Sequence, residues 1–135
     1  MKMEHVALNV SDPVAMVAWY KEHLGFEIVR SMAIPPYTTF LRESGGAVML
    51  EVYHNPPDQV PPYAEMNPLL LHVAFVSVDP GADKEALLAA GATLVKKEHL
   101  ADGSYLVMMR DPWGLAIQLC RRGTPLLHLD ERVGR

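Results

Sequence analysis

Two stretches of the chain, His5–Pro13 (HVALNVSDP) and His72–Pro80 (HVAFVSVDP), carry the same pattern 67 positions apart. Each is an apolar run with β-branched residues that ends in Asp-Pro. Such a run is typical of a β-strand. Asp followed by Pro is typical of a helix start, because the carboxylate caps free backbone N–H groups and Pro fits the first turn. The repeat predicts that the chain is an internal duplication of a strand-helix unit.

The pattern continues in the same way after each Asp-Pro. One helix is predicted over Pro13–His23, ending at Gly25, and a second over Pro80–Ala90, ending at Gly91. Three strand-like runs follow each glycine, namely Phe26–Met32, Tyr37–Arg42 and Ala47–Tyr53, then Thr93–Glu98, Tyr105–Met109 and Leu115–Cys120. The sequence therefore predicts an α+β fold of two tandem βαβββ modules, forming a curved mixed sheet around a concave metal or substrate site.

The predicted modules cover about residues 3–54 and 69–121 of a single domain spanning residues 1–135. The segment 55–68 between them contains five prolines, which exclude regular structure, and is predicted to be a linker. The tail from Arg121 is polar and is predicted to be irregular.

Composition favours a soluble small-molecule protein. Half of the residues are hydrophobic, 21% are charged and the net charge is -4, which disfavours binding to nucleic acid. No apolar run reaches the roughly 20 residues of a membrane span, and a signal-peptide pattern is missing from the first residues, so a cytoplasmic location is expected. With one cysteine, Cys120, the chain can form neither an intrachain disulfide nor a cysteine-rich zinc cluster.

The duplication also identifies candidate metal ligands. A site with pseudo-twofold symmetry would take equivalent residues from both copies, and two polar pairs share the 67-residue spacing: His5 with His72, and Glu51 with Gln118. All four lie on predicted strands. Two imidazoles, one carboxylate and one amide oxygen suit one divalent ion such as Ni, Co, Zn, Mn or Fe(II), with positions open for water or substrate.

Five motifs together resemble the vicinal oxygen chelate superfamily of glyoxalases, bleomycin resistance proteins and extradiol dioxygenases, over nearly the whole chain. Besides the two repeated stretches, they include WYKEHLGFEIV at 19–29, AVMLEVY at 47–53 and RDPWGLAIQL at 110–119. In the metalloenzymes of the superfamily, the resemblance implies metal ligands at His5, Glu51, His72 and Gln118. It also implies a homodimer, with ligands from one chain or from two.

The pattern is most similar to glyoxalase I, which isomerises the hemithioacetal of methylglyoxal and glutathione. The last ligand is usually glutamate in that enzyme but is Gln118 here, and an amide cannot act as a carboxylate base. Glu51 is then the expected catalytic base. Asn55 matches a glutathione-contacting position, whereas Asn9 stands where an arginine is expected, so both are candidate substrate contacts.

Strand alternation adds three candidate substrate-binding residues. Met49 and Tyr53 share the face of Glu51, where they line a cavity or fill the interior. Cys120 shares the face of Gln118, either as a thiol of the pocket wall or as a small buried apolar residue.

Three functions are open at this point. The leading one is a metal-dependent, glyoxalase I-like lyase or isomerase acting on a small carbonyl or hemithioacetal substrate through bidentate oxygen chelation. The second is a non-catalytic protein that binds a drug or another small molecule. The third, an Fe(II) extradiol-type dioxygenase, requires Glu51 to supply the single carboxylate of the iron site. The ligand inventory also resembles that of methylmalonyl-CoA epimerases, with the Glu and Gln positions exchanged.

Overall fold

The computed structural model of the protein describes residues 1–127, which form two βαβββ modules in tandem. The first contains β1 (His5–Asn9), α1 (Pro13–Leu24), β2 (Phe26–Ser31), β3 (Thr39–Glu43) and β4 (Met49–Tyr53). A short 3-10 helix, Tyr63–Glu65, follows. The second contains β5 (Val73–Val76), α2 (Pro80–Ala89), β6 (Thr93–His99), β7 (Tyr105–Arg110) and β8 (Ala116–Arg121). The predicted α+β order is confirmed, while residues 128–135 of the predicted irregular tail lie outside the described residues.

Both helices begin where Asp-Pro predicts. The Asp12 carboxylate accepts a hydrogen bond of 3.0 Å from the backbone N–H of Ala15, and Asp79 accepts one of 3.0 Å from Ala82. These bonds satisfy N–H groups that the first turn of a helix leaves without partners. At the other end of α1, Gly25 adopts a left-handed conformation with φ of 68°, which turns the chain out of the helix.

Each module forms its own four-stranded mixed sheet. The strand order is β1-β4-β3-β2 in the first and β5-β8-β7-β6 in the second. β1 runs parallel to β4 and β5 parallel to β8, while the other pairs are antiparallel. The sequence predicted one curved sheet, whereas the hydrogen bonds of residues 1–127 join strands only within a module. The chain divides correspondingly into two compact units, with the boundary between Pro61 and Pro62.

The strand registers reproduce the duplication seen in the sequence. Ala7 pairs with Glu51 in the first sheet, and Ala74 pairs with Gln118 in the second. Each residue of the second pair lies 67 positions after its counterpart in the first pair. Glu51 and Gln118 are therefore equivalent in structure as well as in sequence.

A β-bulge is repeated as well. In the β2–β3 pair the register shifts between Ile28 and Arg30, and in the β6–β7 pair it shifts between Leu94 and Lys96. One residue of each bulged strand thus has no opposite partner, which reverses the faces on which the following side chains lie.

In the first unit, α1 packs against the sheet. Leu8, Leu41 and Val52 are buried, as are Met16 and Tyr20 of α1. Burying each such side chain contributes about 1.5–3 kcal/mol. Because side chains alternate along a strand, Glu51 lies on the face opposite to Val52.

In the second unit, Val107, Met109 and Ile117 are fully buried, and Leu87 of α2 is also buried. No helix within residues 1–127 combines the length and apolarity of a membrane span.

Candidate functional site

The first predicted ligand pair is assembled within the first module. His5 begins β1, and Glu51 lies in the middle of the adjacent parallel strand β4. The His5 Nε2 atom lies 3.0 Å from the Glu51 Oε2 atom, and both side chains are partly shielded from solvent, with 34% and 17% exposed. Two donors that metals commonly use therefore face the same small volume.

His5 is also held from its other nitrogen. Its Nδ1 atom lies 2.9 Å from the Glu4 Oε1 atom, so the imidazole is flanked by two carboxylates. A neutral imidazole carries one N–H and can donate to only one of them. The His5 ring is thus positioned by a carboxylate at each of its two nitrogens.

Phe40 of β3 forms the next part of the same surface. It lies directly opposite Glu51 in the antiparallel β3–β4 pair. The His5 ring meets it edge to face, with centroids 5.5 Å apart and planes at 83°. This contact limits the rotation of the His5 ring and adds an apolar wall beside the two polar donors.

The second predicted pair lies in the second module. His72 directly precedes β5, and its Nδ1 atom lies 2.8 Å from the carbonyl oxygen of Pro68. If Nδ1 donates to that carbonyl, the tautomer leaves the Nε2 lone pair available, as in metal-ligating histidines.

The other member of that pair, Gln118, is contacted from within its own strand. The Cys120 Sγ–H donates to the Gln118 Oε1 atom over 3.3 Å, so the two side chains share a face, as alternation predicts. Burial raises the pKa of the Cys120 thiol, which keeps it protonated as a donor.

Asn9, a predicted substrate contact, binds the chain itself. Its Nδ2 atom donates to the carbonyl oxygens of Pro56 and Gln59 over 2.8 and 3.2 Å, and its Oδ1 atom accepts from the backbone N–H of Asn55 over 2.9 Å. Asn9 thereby joins the end of β1 to the start of the proline-rich segment. Asn55, the other predicted contact, is positioned by this bond through its backbone.

The remaining predicted residues have the expected placement on their strands. Met49, Glu51 and Tyr53 alternate with the core residue Val52 of β4 and are each half-buried. Within residues 1–127, no three His, Cys, Asp or Glu side chains are grouped to hold a metal ion. The four-ligand metal site and the substrate contacts therefore stay predictions. Of the four proposed ligands, His5 and Glu51 lie in contact with each other.

Two residues of this surface were missed by sequence reasoning. Glu4 precedes the repeated stretch, and its contact to His5 is visible only in three dimensions. Phe40 was assigned to a strand, but its position beside Glu51 depends on the register of β3 against β4. An apolar residue in a strand gives no signal of that register.

The family assignment follows from the whole chain. The family model described as the Glyoxalase/Bleomycin resistance protein/Dioxygenase superfamily matches residues 2–119. The chain belongs to this superfamily. Among functionally curated proteins, none matches the chain.

Several solved structures share this fold. A glyoxalase family protein from Enterococcus faecalis is 27% identical, with a TM-score of 0.68, and the match covers 89% of this chain and 97% of that one. A lactoylglutathione lyase from Agrobacterium tumefaciens is 22% identical, with a TM-score of 0.62 and coverage of 88% and 92%. TnmS3, an antibiotic binding protein from Streptomyces sp. CB03234, is 18% identical, with a TM-score of 0.70 and coverage of 90% and 96%.

Proposed function

We propose that this protein is a metal-dependent, glyoxalase I-like enzyme that acts on a small carbonyl or hemithioacetal substrate through bidentate oxygen chelation. In this proposal one divalent ion is held by His5, Glu51, His72 and Gln118. The observation that carries it is the His5–Glu51 pair, in which an imidazole nitrogen and a carboxylate oxygen of adjacent strands approach to 3.0 Å.

The donor chemistry of this pair suits a divalent ion. Imidazole nitrogen and carboxylate oxygen are donors that ions such as Zn, Ni and Fe(II) commonly take in proteins. The contact between Glu4 and the opposite nitrogen of His5 resembles the carboxylate that commonly orients a metal-bound histidine. His72, held through Pro68, has the same kind of support from a backbone carbonyl.

A bound divalent ion would supply a Lewis acid that polarises the substrate carbonyl. The chain itself would supply the base. Glu51 is the one carboxylate among the four proposed ligands, and proton abstraction next to a carbonyl requires such a group within hydrogen-bond reach. His5 contacts the Glu51 carboxylate, and Phe40 lies opposite Glu51 on the neighbouring strand. Met49 and Tyr53, on the same strand face, are the proposed walls of the substrate site.

The test is elemental analysis of untagged protein, as purified and after reconstitution with Ni, Co, Zn, Mn and Fe(II). Wild type is compared with His5→Ala and His72→Ala, and His23→Ala on α1 is the control, because His23 contacts Glu22 rather than a proposed ligand. We expect about one ion per site in wild type and in the control, lost in both ligand variants while circular dichroism is unchanged.

A turnover assay then distinguishes the proposed role of Glu51 as a base from its proposed role as a metal ligand. The metal-loaded protein is assayed with the hemithioacetal of methylglyoxal and glutathione, and Glu51→Gln is expected to keep the metal but to lose activity by at least about a hundredfold. Failure of wild type to bind any of the five metals would overturn the proposed enzyme.

Non-catalytic binding of a small molecule is the second candidate. Gln118 favours it, because an amide replaces a second carboxylate at the position equivalent to Glu51. The fold is shared with the antibiotic binding protein TnmS3. A metal-free protein that binds a small molecule without turning it over would support this candidate.

The homodimer and the cytoplasmic location are further proposals from the sequence and the resemblance. Sedimentation of the purified chain tests the first, and fractionation of cells that express it tests the second.

A further inference from the structure

Arg30 lies on the same sheet face as the His5–Glu51 pair. The registers place Arg30 of β2 opposite Phe40 of β3, and Phe40 opposite Glu51 of β4. Directly opposed residues of antiparallel strands project to the same side, so these three form one row across the sheet. Arg30 is two strands from Glu51, which is about 10 Å at the usual strand spacing.

The β-bulge is what turns Arg30 to this face. Ile28 pairs with Leu41, and an unbroken ladder would next place Val29 opposite Phe40 and Arg30 opposite Thr39. That register would direct Arg30 to the face of the buried core. The bulge inserts one residue before Arg30, which moves its side chain to the face of Phe40 and Glu51.

The Arg30 guanidinium is oriented by an aromatic ring. Its central carbon lies 5.1 Å from the centroid of the Phe40 ring, a cation–π contact. Phe40 also contacts His5, so one ring lies between the cation and the proposed ligand pair. In the part of the chain that the structure describes, no acidic side chain lies within ion-pair distance of Arg30.

The second module provides an internal comparison. Its bulge places Lys96 opposite Met108, which is opposite Gln118, so Lys96 corresponds to Arg30. Lys96 forms an ion pair with Glu98 two residues later. The residue two positions after Arg30 is Met32, which cannot form such a pair. Among residues 1–127, Lys96 is therefore paired with an acidic side chain of its own module, whereas Arg30 is not.

We propose that Arg30 recognises an anionic group, such as a carboxylate, on the substrate of this site. The inference rests on the proposed function, because the other end of that substrate is the pair of oxygens that chelates the metal near His5 and Glu51. A guanidinium over an aromatic ring keeps N–H donors available for a charge-assisted hydrogen bond. Arg30 is thus a specificity-determining residue that lies about two strands from the chemistry.

The test uses two probes that share a vicinal oxygen pair and differ in charge: 3,4-dihydroxyphenylacetate and its neutral amide, 3,4-dihydroxyphenylacetamide. Their affinities for the nickel-loaded protein are measured by calorimetry. We expect wild type to prefer the carboxylate about tenfold or more, the size of a charge-assisted hydrogen bond. The preference should decrease at higher ionic strength, because the anion remains near solvent.

Three variants locate the effect. Arg30→Met is expected to abolish the preference without changing affinity for the amide, since Met can still cover Phe40. Arg30→Lys should retain part of the preference. The control, Lys96→Met, removes the equivalent cation of the second module and should leave the preference unchanged.

The outcomes separate this inference from the function on which it rests. Equal binding of both probes by wild type, or a preference that survives Arg30→Met, overturns the role of Arg30 alone. A preference lost equally in Lys96→Met points to general surface charge and also overturns it. If the metal-loaded wild type does not bind even the amide, then chelation at this site is wrong and both proposals fail.

Discussion

Replacing Asn9 by Val should release the segment that follows β4 while leaving the sheet intact. Val is the residue at the equivalent position of β5, Val76, so the strand should accept it. The substitution removes both donors and the acceptor of the amide, which bind the carbonyl oxygens of Pro56 and Gln59 and the N–H of Asn55.

The magnitude follows from these three bonds. A hydrogen bond contributes about 0.5–1.5 kcal/mol net, and water can replace part of each bond here because the site is exposed. The expected loss is about 1.5–3 kcal/mol of local stability, which corresponds to roughly a tenfold to hundredfold higher population of the opened segment.

Hydrogen exchange of individual amides measures this opening. The Asn55 amide, whose acceptor is deleted, should exchange about ten to a hundred times faster in the variant. The Gln59 amide, bonded to the Pro56 carbonyl, should accelerate with it, whereas Val52 in the middle of the sheet should not change. Unchanged exchange at Asn55 and Gln59 would refute the role of Asn9 in fastening this segment.

Two glycines and two helix caps give further predictions that denaturant unfolding can check. Gly114→Ala should lower the free energy of unfolding by about 3 kcal/mol, because φ is +90° and the new Cβ would lie 2.5 Å from the Ala64 Cβ. Gly25→Ala should lower it by only about 1 kcal/mol, because φ is +68° but no atom lies within 4 Å of the new Cβ. Equal costs at the two glycines would contradict the packing argument. Removing a helix cap by Asp12→Ala or Asp79→Ala should in each case lower the free energy of unfolding by about 1 kcal/mol, whereas Asn at either position should retain most of that stability. An equal loss of stability in the Asn variants would exclude capping as the cause.

The elements that could be predicted are those with local causes. Both helices begin at the predicted proline because an Asp cap acts within one turn, and their ends lie within one residue of prediction. The strand β3 was predicted from Tyr37 but begins at Thr39. The reason is a turn: Tyr37 has a left-handed φ of 59°, and its N–H bonds to the carbonyl of Ile34. Apolar content alone does not reveal such a turn.

The strand β4 shows a second limit of local reasoning. It was predicted from Ala47 but begins at Met49, whose N–H bonds to the carbonyl of Glu4. The strand thus begins where its pairing with the first strand begins. A strand boundary set by a partner more than forty residues away leaves no mark in its own sequence.

For the site, the duplication could identify which residues of the two modules are equivalent, but not which residues lie next to them in the fold. The spacing of His5, Glu51, His72 and Gln118 indicated two matched pairs, and the equal registers of Ala7 with Glu51 and Ala74 with Gln118 confirm that the positions correspond. The surroundings of each pair depend on register and bulges, which is why Phe40 and Arg30 were not predicted.

The two modules have kept the same geometry and diverged in charge. At one equivalent position the first carries Glu51 and the second the neutral Gln118. At the other, the bulge of the first module presents Arg30, which has no acidic partner within residues 1–127, and the bulge of the second presents Lys96, which is paired with Glu98. In the proposed site both the basic carboxylate and the anion-binding cation therefore come from the first module. The second module would contribute His72 and Gln118 and no carboxylate.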